Sequence, residues 1–280
     1  MLTVFDHNRN LGGFTYVYPV LSRRAGGVSL GINLNPNNAC NWHCAYCQVP
    51  NLTRGRAPAI DLDRLEAELR GVLTALCRGD WLARNAPEGM RVLKDLAFSG
   101  NGEPTSAVAF ADAVARVARL RSEFSLDEKV VLRLISNGSL LGQARVREGI
   151  RRLARAGGEV WFKLDAGRAD TIAKINGVRL SPRTVARHLA TCAALCSTWV
   201  QTCVFRWDDQ PPAAAELDAW LDMLGRANDE GGRIEGVLLY GVARPSLQPE
   251  GVHISPLSAE ELAAIVGRIQ EKGLTVRVSP

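Results

Sequence analysis

The sequence predicts an α/β chain built as an incomplete (β/α)6 TIM-like barrel of parallel strands. Three observations carry that expectation. Short apolar, β-branched runs alternate with segments of helical spacing. The alternation repeats every roughly 30 to 40 residues, the length of one βα unit with its crossover helix. No Pro/Gly/Ser-rich linker, low-complexity tract or internal repeat interrupts it.

The elements follow in order. VSLGINL (28–34) reads as a buried strand, and Leu62, Leu65, Leu69, Leu73 and Leu76 then mark an amphipathic helix. LKDLAF (93–98) precedes a helix with Phe110, Val114 and Val117 on one face, and KVVLRLI (129–135) precedes one with Val146, Ile150 and Leu153. EVWFKL (159–164) leads to Val185, Leu189, Cys192 and Cys196; WVQTCVF (199–205) leads to Leu217, Leu221 and Leu224. IEGVLLY (234–240) is followed by Leu262, Ile265, Val266 and Ile269, and LTVRV (274–278) closes the series. That makes six units and a terminal strand, read as one domain over 28–280 behind an N-terminal extension, 1–27.

Composition excludes several classes. Apolar residues at 46% and charged residues at 22% are globular values. No apolar run approaches the roughly 20 residues of a membrane span, and MLTVFDHNRN lacks the basic and apolar regions of a signal peptide. Both observations point to the cytoplasm and to no membrane partner. The 34 Lys and Arg against 29 Asp and Glu give +5, compatible with a polyanion but short of a basic tail. Seven cysteines without an export signal read as thiols or metal ligands rather than disulfides.

In such architectures ligands gather at the carboxyl ends of the strands. Cys40, Cys44 and Cys47, spaced C-x3-C-x2-C, follow the first predicted strand; SGNGEPT (99–105) follows the second, SNGS (136–139) the third, and KLDAG (163–167) ends the fourth. Each has a plainer reading. The cysteines could hold zinc with His43, although His43 is bonded directly to Cys44, which makes shared tetrahedral ligation awkward. Three thiolates also suit an iron–sulfur cluster with one open iron. Pro104 could start a helix after a glycine turn. Lys163 and Asp165, at i and i+2 on one strand face, could be a structural ion pair. Cys77, Cys192 and Cys196 fall on apolar helix stripes and read as buried packing. An electron-transfer protein without further chemistry would leave GNGE, SNG and KLD without a shared purpose.

The cysteine loop with Tyr46 before its last cysteine, together with GNGE, resembles the radical S-adenosylmethionine (SAM) superfamily. SRRAGGVSLGINLNPNNACNWHCAYCQ, FSGNGEPT, ISNGSLL, FKLDAG and LLYGVARPS are similar to its wyosine-synthase-like group of Fe–S oxidoreductases, whose characterised relatives modify a guanine in tRNA. The resemblance implies a [4Fe–4S] cluster on Cys40, Cys44 and Cys47, with SAM chelating the fourth iron. It implies reductive cleavage of SAM to a radical that abstracts hydrogen from an RNA base or a small metabolite or peptide. Gly100, Asn101, Gly102 and Glu103 would hold the SAM amino group, Ser136 and Asn137 the ribose, and Lys163 the carboxylate. Asp165 would bind a hydroxyl or orient Lys163, and Tyr46 would line the cofactor site. Arg54, Arg56, Tyr240 and Arg244 are weaker substrate contacts, since exposed arginines are commonly just solvated. A low-potential electron donor of flavodoxin or ferredoxin type is implied, with tRNA a candidate partner. One departure stands out: the tRNA enzymes carry second-cluster cysteines and a pyruvate-engaging lysine before the shared triplet, whereas residues 1–39 contain neither Cys nor Lys. The superfamily chemistry carries over; the wyosine reaction does not.

Overall fold

The computed structural model describes residues 2, 13–22, 25–126, 128–229, 231 and 233–279. Within the expected extension, residues 1, 3–12, 23 and 24 lie outside them. Eight strands form the main sheet: β1 (Val17–Ser22), β2 (Gly27–Ile32), β3 (Leu93–Phe98), β4 (Val131–Ser136), β5 (Glu159–Lys163), β6 (Ser197–Cys203), β7 (Gly236–Tyr240) and β8 (Val276–Ser279). Their hydrogen-bonded order is the chain order. A doubly wound sheet would reverse direction at a switch point; the unbroken order is the singly wound connectivity of β/α barrels. β2–β3, β3–β4, β6–β7 and β7–β8 are parallel, and β1 lies antiparallel to β2.

All seven strands expected from the sequence are present. β1 is an addition, within the segment read as an extension. Pro19 hides it, because proline inside an apolar run argues against a strand except at a sheet edge, and β1 is an edge strand.

The helices are α1 (Leu62–Arg78), α2 (Trp81–Asn85), α3 (Phe110–Glu123), α4 (Ala144–Arg155), α5 (Ala169–Asn176), α6 (Pro182–Leu195), α7 (Ala214–Asp229) and α8 (Ala259–Glu271). The six expected from periodicity are all there. α5 has eight residues and ends at Gly177, whose φ of +63° favours glycine. One expectation fails: Cys77 is exposed. The buried face of α1 runs through Leu65, Leu69, Val72, Leu73 and Leu76, and the next residue lies 100° round the helix, past its edge. Cys192 and Cys196 are buried as expected.

The chain divides into two compact units. The first comprises Met1–Asn41, Gly55–Ser136 and Gln143–Glu159; the second comprises Trp42–Arg54, Asn137–Gly142 and Val160–Pro280. In the first, Phe98 meets Phe110 edge-on at 6.0 Å, and Gly149 lets α4 approach the Phe110 ring. Arg133, buried, pairs with Asp95 and with Glu159 (2.7 Å). In the second, α6 packs against α7, and Trp220 Nε1 donates to Leu164 O at 3.0 Å.

Candidate active site

In the first unit the chain leaves β2 through NLNPNN, and its asparagines form a frame. Buried Asn33 accepts from the amides of Asn35 (3.0 Å) and Asn101 (3.1 Å) on Oδ1. Buried Asn35 donates from Nδ2 to Ala39 O (2.9 Å), next to Cys40, and to Ser106 Oγ (3.2 Å). Asn101 Nδ2 donates to Asn38 Oδ1 at 2.6 Å. The glycine-rich loop therefore leans on the segment that leads into the first cysteine. Gly100, at φ +145°, lies against the Asn33 side chain, and a Cβ on Gly102 would collide with Ala39 O and Asn35. Neither position admits a side chain.

Glu103 is buried. Its Oε1 accepts from Thr105 N (3.1 Å), Thr105 Oγ1 (2.6 Å) and Ser136 Oγ (2.7 Å). Two residues expected at the cofactor thus contact each other, and Glu103 also caps the turn Pro104–Ser106. Arg56 is exposed. The frame asparagines were not singled out from sequence; their only signal is a run of Asn directly after a strand.

In the second unit the cysteine loop runs beside the end of α5. His43 N donates to Asn176 O (3.0 Å) and Ala45 N to Ile175 O (2.7 Å). Asn176 reaches Cys44 Sγ with Nδ2 at 3.5 Å and Asp165 Oδ2 at 2.8 Å. The same Oδ2 accepts from Tyr46 Oη, while Asp165 Oδ1 accepts from Cys203 N at 2.9 Å. Asp165 thus ties the loop aromatic to α5 and β6. Lys163 Nζ sits 4.8 Å over the Tyr46 ring and donates to Tyr240 Oη at 3.2 Å. Lys163, Asp165, Tyr46, Tyr240 and Cys44 are brought together, with Asn176 and Cys203 as members the sequence reading missed. The structural ion pair considered for Lys163 and Asp165 does not form: among the described residues no carboxylate oxygen lies within 4.0 Å of Lys163 Nζ.

A strap after β7 clamps the loop backbone. Ser246 Oγ donates to Ala45 O (2.6 Å), Leu247 N to Cys47 O (3.0 Å), and Gln248 Nε2 to Cys47 O (3.2 Å) and Val49 O (2.9 Å). Arg244 contributes its carbonyl, which accepts from Gln48 Nε2 at 3.2 Å. Arg54 is exposed and donates to Gly177 O. Asn137 Oδ1 accepts from Ser139 N (3.0 Å) and Ser139 Oγ (2.7 Å), closing the turn between β4 and α4.

Desolvation pushes the Cys44 thiol up to about 12; Lys163 pulls it back and Asp165 pushes it further. Desolvation, then Asp165, raises the Tyr46 phenol well above its ordinary value. For Lys163 desolvation pulls downward, but Tyr240, Asp165, Cys44 and Cys203 outweigh it and the net shift is upward.

These residues suit the implied groups. Among the described residues no three His, Cys, Asp or Glu side chains converge on one metal ion. By donor chemistry alone, thiols suit the irons of a [4Fe–4S] cluster, and an ammonium with no carboxylate oxygen within 4.0 Å among the described residues suits an anionic group.

No protein-family model matches the chain. It is 29% identical over 161 residues to the GTPase Obg of Brachyspira hyodysenteriae, a match covering 56% of this chain and 20% of that protein. The chain thus spans about a fifth of the curated relative it matches. The crystal structure of a radical SAM methyltransferase from Sphaerobacter thermophilus superposes with a TM-score of 0.64 over 94% of this chain and 68% of that one, at 15% identity. The chain shares the fold of that enzyme. That is the partial α/β barrel expected from the alternation of strands and helices. A domain of a pyruvate-formate lyase-activating enzyme from Bacteroides vulgatus matches with a TM-score of 0.48, at 11% identity over 67% of this chain and 99% of that one. Among the described residues no helix is long and apolar enough to cross a membrane.

Proposed function

We propose that the protein is a radical SAM enzyme that holds a [4Fe–4S] cluster on Cys40, Cys44 and Cys47 and abstracts hydrogen from an RNA base or a small metabolite or peptide. The observation that carries this reading is the group of residues around Cys44: Tyr46, Lys163, Asp165, Asn176 and Tyr240, scattered over nearly 200 positions, share one face of the second unit. When bound, cluster and SAM would supply reductive cleavage of the sulfonium and with it a hydrogen-abstracting group. The chain's own contribution is to bind and orient. Lys163 would take the SAM carboxylate in a charge-assisted hydrogen bond. Asp165 acts through others: it fixes Tyr46 and Asn176, and through Asn176 the Cys44 sulfur. The strap from Ser246 to Gln248 holds the loop carbonyls so that the thiols keep their spacing. A low-potential electron donor of flavodoxin or ferredoxin type would be the redox partner.

The wyosine reaction is outside the proposal. Among residues 1–39 the basic side chains are His7 and three arginines, Arg9, Arg23 and Arg24. The arginines lie outside the described residues. A guanidinium stays protonated and cannot form a Schiff base with pyruvate as a lysine amine can. Anaerobic reconstitution tests the whole reading. Ala at Cys40, Cys44 or Cys47 should abolish the cluster's visible absorbance, and Ala at Cys77, Cys192 or Cys196 should leave it; iron retained in the triple variant would sink the assignment. Digested tRNA from cells with and without the gene should show no pyruvate-dependent tricyclic guanine, and finding one would overturn the exclusion.

A further inference from the structure

The strand after Lys163 carries a buried amide with no assigned role. On β6, Thr198 Oγ1 lies 3.6 Å from Cys192 Sγ on α6, so Thr198, Val200 and Thr202 turn toward that helix. Alternation then points Trp199, Gln201 and Cys203 to the opposite face. Two hydrogen bonds fix the register with the neighbouring chain: Leu164 N donates to Gln201 O (3.1 Å), and Thr202 Oγ1 donates to Leu164 O (2.8 Å). Leu164 therefore lies beside Thr202, and Lys163 beside Gln201, about 5 Å away across the ladder. On the other side Gln201 is in register with Leu238 and Cys203 with Tyr240, the residue whose hydroxyl accepts from Lys163. Lys163, Gln201 and Tyr240 project from one face.

Gln201 is 1% exposed, and among the described residues its Oε1 has no hydrogen-bond donor. A buried, unpaired amide oxygen destabilises the ligand-free fold where a leucine or methionine would not. On the neighbouring strand stands Lys163, whose Nζ has no carboxylate oxygen within 4.0 Å among the described residues, Asp165 lying further off. An acceptor without a donor, beside an ammonium with no direct ion pair, is the complement of a ligand group that carries an anion and an N–H donor side by side. We infer that Gln201 and Lys163 together recognise an amino-acid-type group, with its carboxylate on Lys163 and its amine N–H on Gln201 Oε1. The Lys163 half rests on the functional reading above; the Gln201 half rests on burial and register. Two sources present this chemistry, the amino-acid end of SAM and a separate amino-acid substrate.

Calorimetric titration of the reconstituted wild type, Gln201→Met and Gln201→Glu with SAM, and separately with the free L-amino acids, decides between them. The expected result is about a tenfold weakening in Gln201→Met for one of these probes. Gln201→Glu should lose that binding further, since its carboxylate would occupy Lys163. A loss with SAM assigns the cofactor, and a loss confined to a free amino acid assigns a substrate. The urea midpoint of ligand-free Gln201→Met should equal or exceed that of the wild type. Unchanged affinity for every probe would overturn the inference, as would a lowered midpoint, which would show the amide to be satisfied by the fold itself. A wild type that ignores SAM while Gln201 still governs binding of an amino acid would remove the cofactor reading alone.

Discussion

Two cations on the same sheet have opposite surroundings. Arg133 on β4 is buried between Asp95 and Glu159, and Ser29 Oγ donates to Asp95 in turn. Lys163 at the end of β5 has two aromatic rings and a phenol oxygen, and among the described residues no carboxylate oxygen within 4.0 Å. The first group is electrostatically complete, as a structural ion pair in a low-dielectric interior has to be. The second makes no direct ion pair among the described residues. The same contrast separates the carboxylates from Gln201: Glu103 and Asp165 each accept from at least three protein donors, whereas Gln201 Oε1 accepts from none among the described residues.

Three changes would break or sharpen that contrast. The largest effect belongs to the complete cation: Arg133→Met strands two carboxylates and should cost about 3–5 kcal/mol of fold stability, read from the urea midpoint. Lys163→Met should leave the midpoint nearly unmoved while weakening SAM binding by about 2–4 kcal/mol in calorimetry. If the two variants destabilise the fold equally, the division into structural and ligand-seeking cations fails. The smallest effect is expected at the strap. Ser246→Ala removes the hydroxyl that donates to the Ala45 and Cys47 carbonyls and accepts from Gln248 N, about 1–2 kcal/mol, and combined with Gln248→Leu it leaves the Cys47 carbonyl, among the described residues, the Leu247 amide. The double variant should fold and lose iron to a chelator faster than the wild type; equal rates would mean the strap does not steady the cysteine loop.

Local rules made a good deal of this legible in advance. A strand or helix follows from the period of its own residues, so VSLGINL, LKDLAF and the leucines of α1 announce themselves wherever the chain later places them. The cysteine triplet and GNGE are equally local. Cys77 failed because a stripe of five leucines fixes the direction of a helix face but not its width. Pro19 hid β1 because its cost depends on whether the strand lies at an edge, which is a property of the sheet. What the tertiary structure alone decided are the long-range hydrogen bonds: Ser246 to Ala45, Gln248 to Val49, Asn176 to Cys44. These join partners far apart in sequence, and several end on backbone carbonyls, which every residue possesses and no residue type reveals. The vacancy at Gln201 is the same lesson reversed: the sequence shows a glutamine in an apolar strand, and only the packed neighbours show that nothing pairs with it.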